Sequence, residues 1–304
     1  MTRYDHAMST VAAYAGVARA PFLLLPPTLI AAGAAASYFE GGFSWLRTLV
    51  ATVGLVSLHM AVNIFNEWSD MRSGIDLHTE RTPFSGGSGT LPAGGLSLRA
   101  TFVFGCCCSA VGLLAGIWFF LKIGLPLLPV LVFGAVTVLA YTDLLARLGV
   151  GEFAAGLGLG ALPVIGAALV QDGQLGPAAW SAALPAFFMT FNLLLLNEFP
   201  DEQADRRGGR RNLVLILGRR AAALVYVVAG LAAPLWIIAA VLLQLLPTWC
   251  YLAAVPSLLL LAPLRWAFGH TAEAVPHSAL GANVAWNLTG NIVMTLCLVL
   301  ATTV

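Results

Sequence analysis

The chain has 304 residues, 59% of them hydrophobic and only 10% charged, with a net charge of +1 and a mean hydropathy of +0.88. A soluble globular domain averages nearer half apolar and a quarter charged, so that class is excluded. The small net charge says little about partners; the placement of the charges says more.

Runs of about 20 apolar residues cross the hydrocarbon as helices. Nine can be marked in chain order, at roughly 11–37, 44–68, 98–121, 124–142, 152–171, 178–198, 219–245, 248–268 and 279–302. The first is too long for a signal peptide and lacks a convincing A-x-A site, so it reads as a retained span. In the second, His59, Asn63, Asn66 and Asp70 form a polar stripe at helical spacing. Gly74 can end that helix before Asp76, and Gly86-Gly87-Ser88-Gly89 lets backbone approach a ligand closely, although a plain turn would use the same residues. The third holds Cys106, Cys107 and Cys108, which point in different directions around a helix; with Cys250 and Cys297 they are expected to pack and to imply no disulfide framework. The sixth leads into Asn197, Asp201 and Asp205 at i, i+4, i+8, with Pro200 a potential distortion. The ninth carries Asn283, Asn287 and Asn291, a stripe suited to inter-helix hydrogen bonds, and its Asn287-Leu288-Thr289 sequon is placed where glycosylation is not expected. The whole reads as one membrane domain over 1–304.

Arg3, Arg19, Arg72, Arg81, Arg99, Arg147, Arg265 and the cluster Arg206, Arg207, Arg210, Arg211, Arg219 and Arg220 all fall on one side of this topology, with Arg47 and Lys122 opposite. The positive-inside rule then places the N-terminus and the loops after the second and sixth spans in the cytoplasm.

Those loops begin with related motifs, Asn66-Glu67-Trp68-Ser69-Asp70 followed by Asp76, and Asn197-Glu198-Phe199-Pro200-Asp201 followed by Asp205. A carboxylate at the bilayer centre costs about 2.5–3.5 kcal/mol even on a lenient scale, so these acids belong at the interface or in a hydrated cavity. Gathered together they repel one another, and a hard divalent cation relieves that repulsion. Mg2+ favours one or two carboxylates together with substrate phosphates, and the neighbouring arginines match phosphate oxygens. For any single acid, a solvated loop residue paired with a nearby arginine is an equal reading. That reading gives no reason for a motif repeated on one side of the membrane.

The two motifs resemble those of the UbiA superfamily of intramembrane prenyltransferases. The first reads N-E-x-x-D-x-x-x-G-x-D, most like the branch that prenylates dihydroxynaphthoate in menaquinone synthesis. The second, N-E-F-P-D-E-Q-A-D-R-R-G-G-R-R-N-L, tracks the family's N-x-x-x-D-x-x-x-D-R-x-x-G-K-R-T-L. Tyr141-Thr142, Gly151-Glu152 and Leu162-Pro163-Val164 add to the likeness, while Glu67, Arg210 and Asn212 depart from the commoner aspartate, lysine and threonine. The resemblance implies an all-α integral membrane protein of nine helices around a central cavity, with two aspartate-rich motifs on cytoplasmic loops of a cell-membrane, multi-pass enzyme. It implies Mg2+ held by Asn66, Asp70, Asp76, Asn197, Asp201 and Asp205, with Asp70, Asp201 and Tyr141 in the chemistry. It offers Arg72, Arg81, Arg206, Arg210 and Arg211 to hold the diphosphate. Two readings stand for Arg19, a ligand contact or a snorkelling side chain, and two for Tyr141, a substrate contact or an interfacial anchor. Asn63 divides between cavity wall and structural bonding; His59 is expected to bond to a neighbouring helix. The implied partners are a polyprenyl diphosphate, an aromatic or lipid-precursor acceptor and membrane lipid, with no nucleic acid. Homogentisate, a glycerol-phosphate lipid or intramolecular cyclisation are the alternative fates of the prenyl group. A transporter would place coupling-ion sites nearer the bilayer midplane.

Overall fold

The computed structural model describes residues 9–77, 81 and 86–303, apart from the side chains of Thr142 and Asp143; Arg3 lies outside these residues. Every regular element among them is helical: α1 (Thr10–Val17), α2 (Ala20–Phe39), α3 (Trp45–Ser73), α4 (Leu98–Ile123), α5 (Leu125–Leu139), α6 (Gly151–Asp172), α7 (Pro177–Arg207), α8 (Leu213–Leu217), α9 (Arg219–Leu242), α10 (Thr248–Gly269) and α11 (His277–Leu300). Eight of them are long and apolar enough to cross a membrane. The fourth expected span, 124–142, is shorter as continuous helix. At 1.5 Å per residue α5 reaches roughly 22 Å, after which the chain turns through a π-helical segment, Tyr141–Leu145.

Local chemistry sets the ends. Ser44 and Ser97 cap α3 and α4 by accepting from the Arg47 and Ala100 backbone N–H groups. Gly74, with φ +79°, closes α3 as the sequence suggests. Pro177 opens α7, whose Ala178 N–H donates to Glu40 Oε1 at 2.9 Å across the bundle. The first expected span does not run unbroken: the helix stops at Ala18, and Arg19 takes a left-handed φ of +52° before α2 begins. A non-glycine residue there costs about 1–3 kcal/mol and persists only where other contacts over-determine it. α7 continues as helix through Pro185 and through Pro200, the residue expected as a potential distortion; each proline lacks the N–H of a helical hydrogen bond.

The bundle closes around a cavity. α2 packs on α6 and α11, α3 on α4, α6 on α7, α7 on α9, and α9 and α11 on α10. Outward leucines such as Leu113, Leu121, Leu235, Leu242 and Leu258 are exposed, as lipid-facing residues would be. Between helices the contacts are small-residue ones, which let backbones approach where hydrophobic driving force is absent. Gly33 of α2 is the tightest: a Cβ there would run into Val164 O and come within 2.8 Å of Ala167 Cβ. Gly33→Val is expected to cost about 1–3 kcal/mol through this overpacking. Thermal unfolding in detergent checks it, and an unchanged Tm would refute the close approach.

On α11 two members of the asparagine stripe bond between helices as expected, while Asn291 donates within α11 to Asn287. Asn283 donates to Asn192 O and accepts from Tyr226 Oη, and Asn287 donates to Thr190 Oγ1. Thr190 in turn reaches Leu159 O at 3.0 Å, a carbonyl freed where a π-turn kinks α6. Cys250 and Cys297 are buried, Cys106 and Cys107 exposed, and all five thiols are free.

Candidate metal and diphosphate site

A cavity of about 290 Å³ lies within the ring of α2, α3, α5, α6, α7 and α11. Its deep wall is apolar, with Leu55, Leu58, Val62, Leu193 and Leu194, and its mouth is ringed by the two acidic motifs. Asn66 and Asp70 reach the mouth from the last turns of α3, and Asp76 folds back after Gly74. Asn197, Asp201 and Asp205 reach it from one face of α7 because that helix continues through Pro200.

Arg210 joins the two motifs. One guanidinium nitrogen donates to Asp70 Oδ1 at 2.5 Å and another to Asp205 Oδ1 at 3.2 Å. Asn212 completes the arrangement: its Nδ2 donates to Asp205 Oδ2 while its Oδ1 accepts from Leu215 N–H, capping α8. Threonine has a single hydroxyl and no amide, so the asparagine at this position bridges by different atoms.

Four polar atoms at the mouth, Asp76 Oδ2, Asn197 Oδ1, Glu198 Oε2 and Asp201 Oδ1, are buried without a hydrogen-bond partner. They come from both motifs and all are oxygens, the donor set of a hard cation. Burial raises the Asp76 carboxyl to about 7, with the Glu67 and Asp70 charges adding to the shift. A cation bound beside it reverses that effect. Among the described residues no three His, Cys, Asp or Glu side chains converge closely enough to hold a metal alone. That is compatible with Mg2+, which takes few carboxylates and completes its shell with water and substrate phosphates.

The remaining candidates divide. Arg19 lines the cavity, but its Nε donates to Glu67 Oε1 at 2.8 Å and its Nη2 to Asn66 Oδ1 at 3.1 Å, so it is neither a free ligand nor a snorkelling chain. Arg211 and Tyr141 line the mouth, as does Asn63, whose Nδ2 donates to Ala18 O where α1 ends. Arg72 instead stacks over Trp68 at 4.5 Å, Arg206 is paired with Glu202 and 69% exposed, and Arg81 donates to Asp76 O; none of the three lines the cavity. His59 lines it too, yet its buried Nδ1 finds no partner, contrary to the expected inter-helix bond.

Sequence reasoning missed Glu67. It is fully buried and does not line the cavity, accepting from Arg19 Nε, from Ser88 N–H at 2.7 Å and from Ser88 Oγ at 2.8 Å. The break at Arg19 is thus over-determined by a buried ion pair. Glu67→Gln is expected to lower stability by about 2 kcal/mol or more, since one charge of a largely buried pair stays behind. A ligand-free Tm equal to the parent's would remove this role. Also missed were Glu152 of α6 and Glu198 of α7. Both are buried; Glu152 accepts from Leu213 N–H at the start of α8, and Glu198 Oε2 has no partner.

Comparison with known proteins agrees with this architecture. The UbiA homologue of Aeropyrum pernix K1 superposes with a TM-score of 0.71 at 17% identity, over 93% of this chain and 98% of that one. A UbiA homologue of Archaeoglobus fulgidus bound to GPP and Mg2+ gives 0.66 at 13%, over 93% and 99%. The 1,4-dihydroxy-2-naphthoate octaprenyltransferase of Bacillus subtilis (strain 168) is 21% identical over 203 residues, 64% of this chain; the match spans 62% of that protein's length. The profile of the UbiA prenyltransferase family matches residues 24–300, and with both motifs closing one cavity the chain belongs to that family.

Proposed function

We propose that this chain transfers a polyprenyl group from its diphosphate to an aromatic acceptor of the dihydroxynaphthoate type, an Mg2+-dependent step in making a menaquinone-like lipoquinone. The observation that carries the reading is the meeting of α3 and α7 acids, with unpartnered oxygens, at the mouth of an apolar cavity. The likeness to the Bacillus subtilis octaprenyltransferase supports the acceptor class. The chain is read as one domain of nine spans in the cell membrane, α5 with its π-helical extension making the ninth. The basic loops favour a cytoplasmic N-terminus and cytoplasmic motifs.

Asn66, Asp70, Asp76, Asn197, Asp201 and Asp205 would hold Mg2+, which when bound supplies the Lewis acidity that offsets diphosphate charge. Arg210 and Arg211 orient the phosphates, with Arg19 fixing Asn66 and Glu67 behind them. Leu55, Leu58, Val62, Leu193 and Leu194 take the isoprenoid tail and keep water from the reacting carbon. The allylic C–O bond breaks as the diphosphate leaves. An electron-rich ring carbon of the acceptor then bonds to the allylic cation, and that ring carbon loses its proton. Tyr141, at the same mouth, faces the cation or the acceptor.

Single-turnover diphosphate release by the protein in lipid tests this, with geranylgeranyl or longer prenyl diphosphate, with and without Mg2+ and dihydroxynaphthoate. A prenylated naphthoate formed only with Mg2+ is the expected product. Release without that product moves the reaction to another acceptor or to cyclisation. No release across several tail lengths overturns the enzyme reading, and gradient-driven uptake in proteoliposomes would replace it with transport.

A further inference from the structure

The glycine-rich segment Gly86–Gly89 ties the two motifs together through its main chain. Gly86 N–H donates to the Asp201 carboxylate, and Ser88 N–H donates to Glu67 Oε1 at 2.7 Å. Gly86 and Gly87 form part of the cavity wall beside Asp76 and Asp201. Gly86, Gly87 and Gly89 have φ of +84°, +75° and +73°, whereas Ser88 lies outside the left-handed region. The backbone alternates only from Gly87 to Gly89, where the Ser88 N–H is spent on Glu67, so the Gly86 N–H is the main-chain donor turned to the cavity. The closeness is real: a Cβ on Gly87 would stand 2.9 Å from Asp76 Oδ1 and 3.3 Å from Glu67 Oε1. Glycine is therefore required here for space as well as for φ.

A main-chain donor spent on a carboxylate that has a second, unpartnered oxygen at the same mouth is available for exchange. We propose that Gly86–Gly89 is a main-chain phosphate site. The Asp201 carboxylate stands in for a phosphate oxygen until a cation engages Asp201 and the substrate's terminal phosphate takes the Gly86 N–H. The site would accept the terminal phosphate of any diphosphate, whatever its tail. The inference rests on the metal–diphosphate reading of the cavity and adds to it a recognition element that is neither metal nor arginine. Glu67 holds this element in place through Ser88, which accounts for a fully buried carboxylate that does not line the cavity.

Inorganic pyrophosphate with Mg2+, titrated calorimetrically into the full chain in nanodiscs, is the probe. Gly86→Ala and Gly87→Ala should each weaken it about tenfold or more, the equivalent of one lost charge-assisted hydrogen bond. Ser88→Ala introduces no strained φ but loses the Oγ bond to Glu67, and should weaken it less than either glycine variant. An unperturbed readout guards against misfolding of the alanine variants. Carbonyl-13C serine with 15N glycine selects the Ser-Gly pairs, which include Gly86 and Gly89. The Gly86 N–H should move downfield when Mg2+ and pyrophosphate are added to the parent protein. Pyrophosphate binding with no shift at Gly86, or with undiminished affinity in folded Gly86→Ala, overturns the main-chain site alone. Absence of Mg2+-dependent pyrophosphate binding by the parent overturns the metal–diphosphate reading with it.

Discussion

Asp201→Asn is expected to slow diphosphate release by about 10²–10³-fold while the protein stays folded. Asparagine keeps the shape and still accepts the Gly86 N–H, but it removes one carboxylate charge and leaves a weaker cation ligand. Lewis-acid stabilisation of transferring phosphoryl oxygens is worth several kcal/mol, and each 1.36 kcal/mol is tenfold in rate. Asp201 has one oxygen already bonded and one buried and free, so the loss falls on the free one. Single-turnover release at several Mg2+ concentrations reads the effect. High Mg2+ should recover part of the rate, since affinity as well as polarisation is reduced. A parent-like rate at low Mg2+ would mean that Asp201 holds no cation.

Removing Arg210 should act in the opposite way on stability and ligand response. The guanidinium is the only described side chain that pairs with both motifs, through Asp70 and Asp205. In Arg210→Ala those carboxylates, 7% and 5% exposed, lose their counter-charge. Breaking a buried pair costs about 3–5 kcal/mol, so the Tm in chelator should fall by several degrees. Added Mg2+ should then stabilise the variant more than the parent, because a cation replaces the missing charge. Arg210→Lys should fall between, as an ammonium cannot span two carboxylates with a planar fork. If Mg2+ stabilised parent and variant equally, the acids of the two motifs would not share one cation.

The extent of the bundle was legible because span length is fixed by the bilayer and leaves a coarse signal in composition. The second motif was legible for a similar reason: i, i+4, i+8 on a helix is a face wherever the helix goes, and α7 continues through Pro200. What stayed hidden depends on partners distant in sequence. Arg19 breaks the first span because Glu67, forty-eight residues on, waits for it with a buried carboxylate. Spacing alone made Glu67 one more motif acid, and only the position of Ser88 shows which way it faces. The arginines were chosen by proximity in sequence, which cannot separate Arg210, aimed inward, from Arg206, aimed at Glu202. The glycine segment was open to two readings, a close approach to a ligand or a plain turn, because backbone donors leave no mark in side-chain chemistry.

Glu40 fastens the first turn of α7 at one end of the bundle, and Asp201 and Asp205 occupy the last turns at the other. Thirty-one residues of unbroken helix make a rod of roughly 46 Å between them. Such a helix sets the distance between its two ends, with Pro185 and Pro200 as its points of give. The height of the acidic ring over the cavity is therefore gauged from the far face of the bundle. A lipid bilayer whose thickness pulls the Glu40 anchor out of register would mistune the chemistry without touching any residue that performs it.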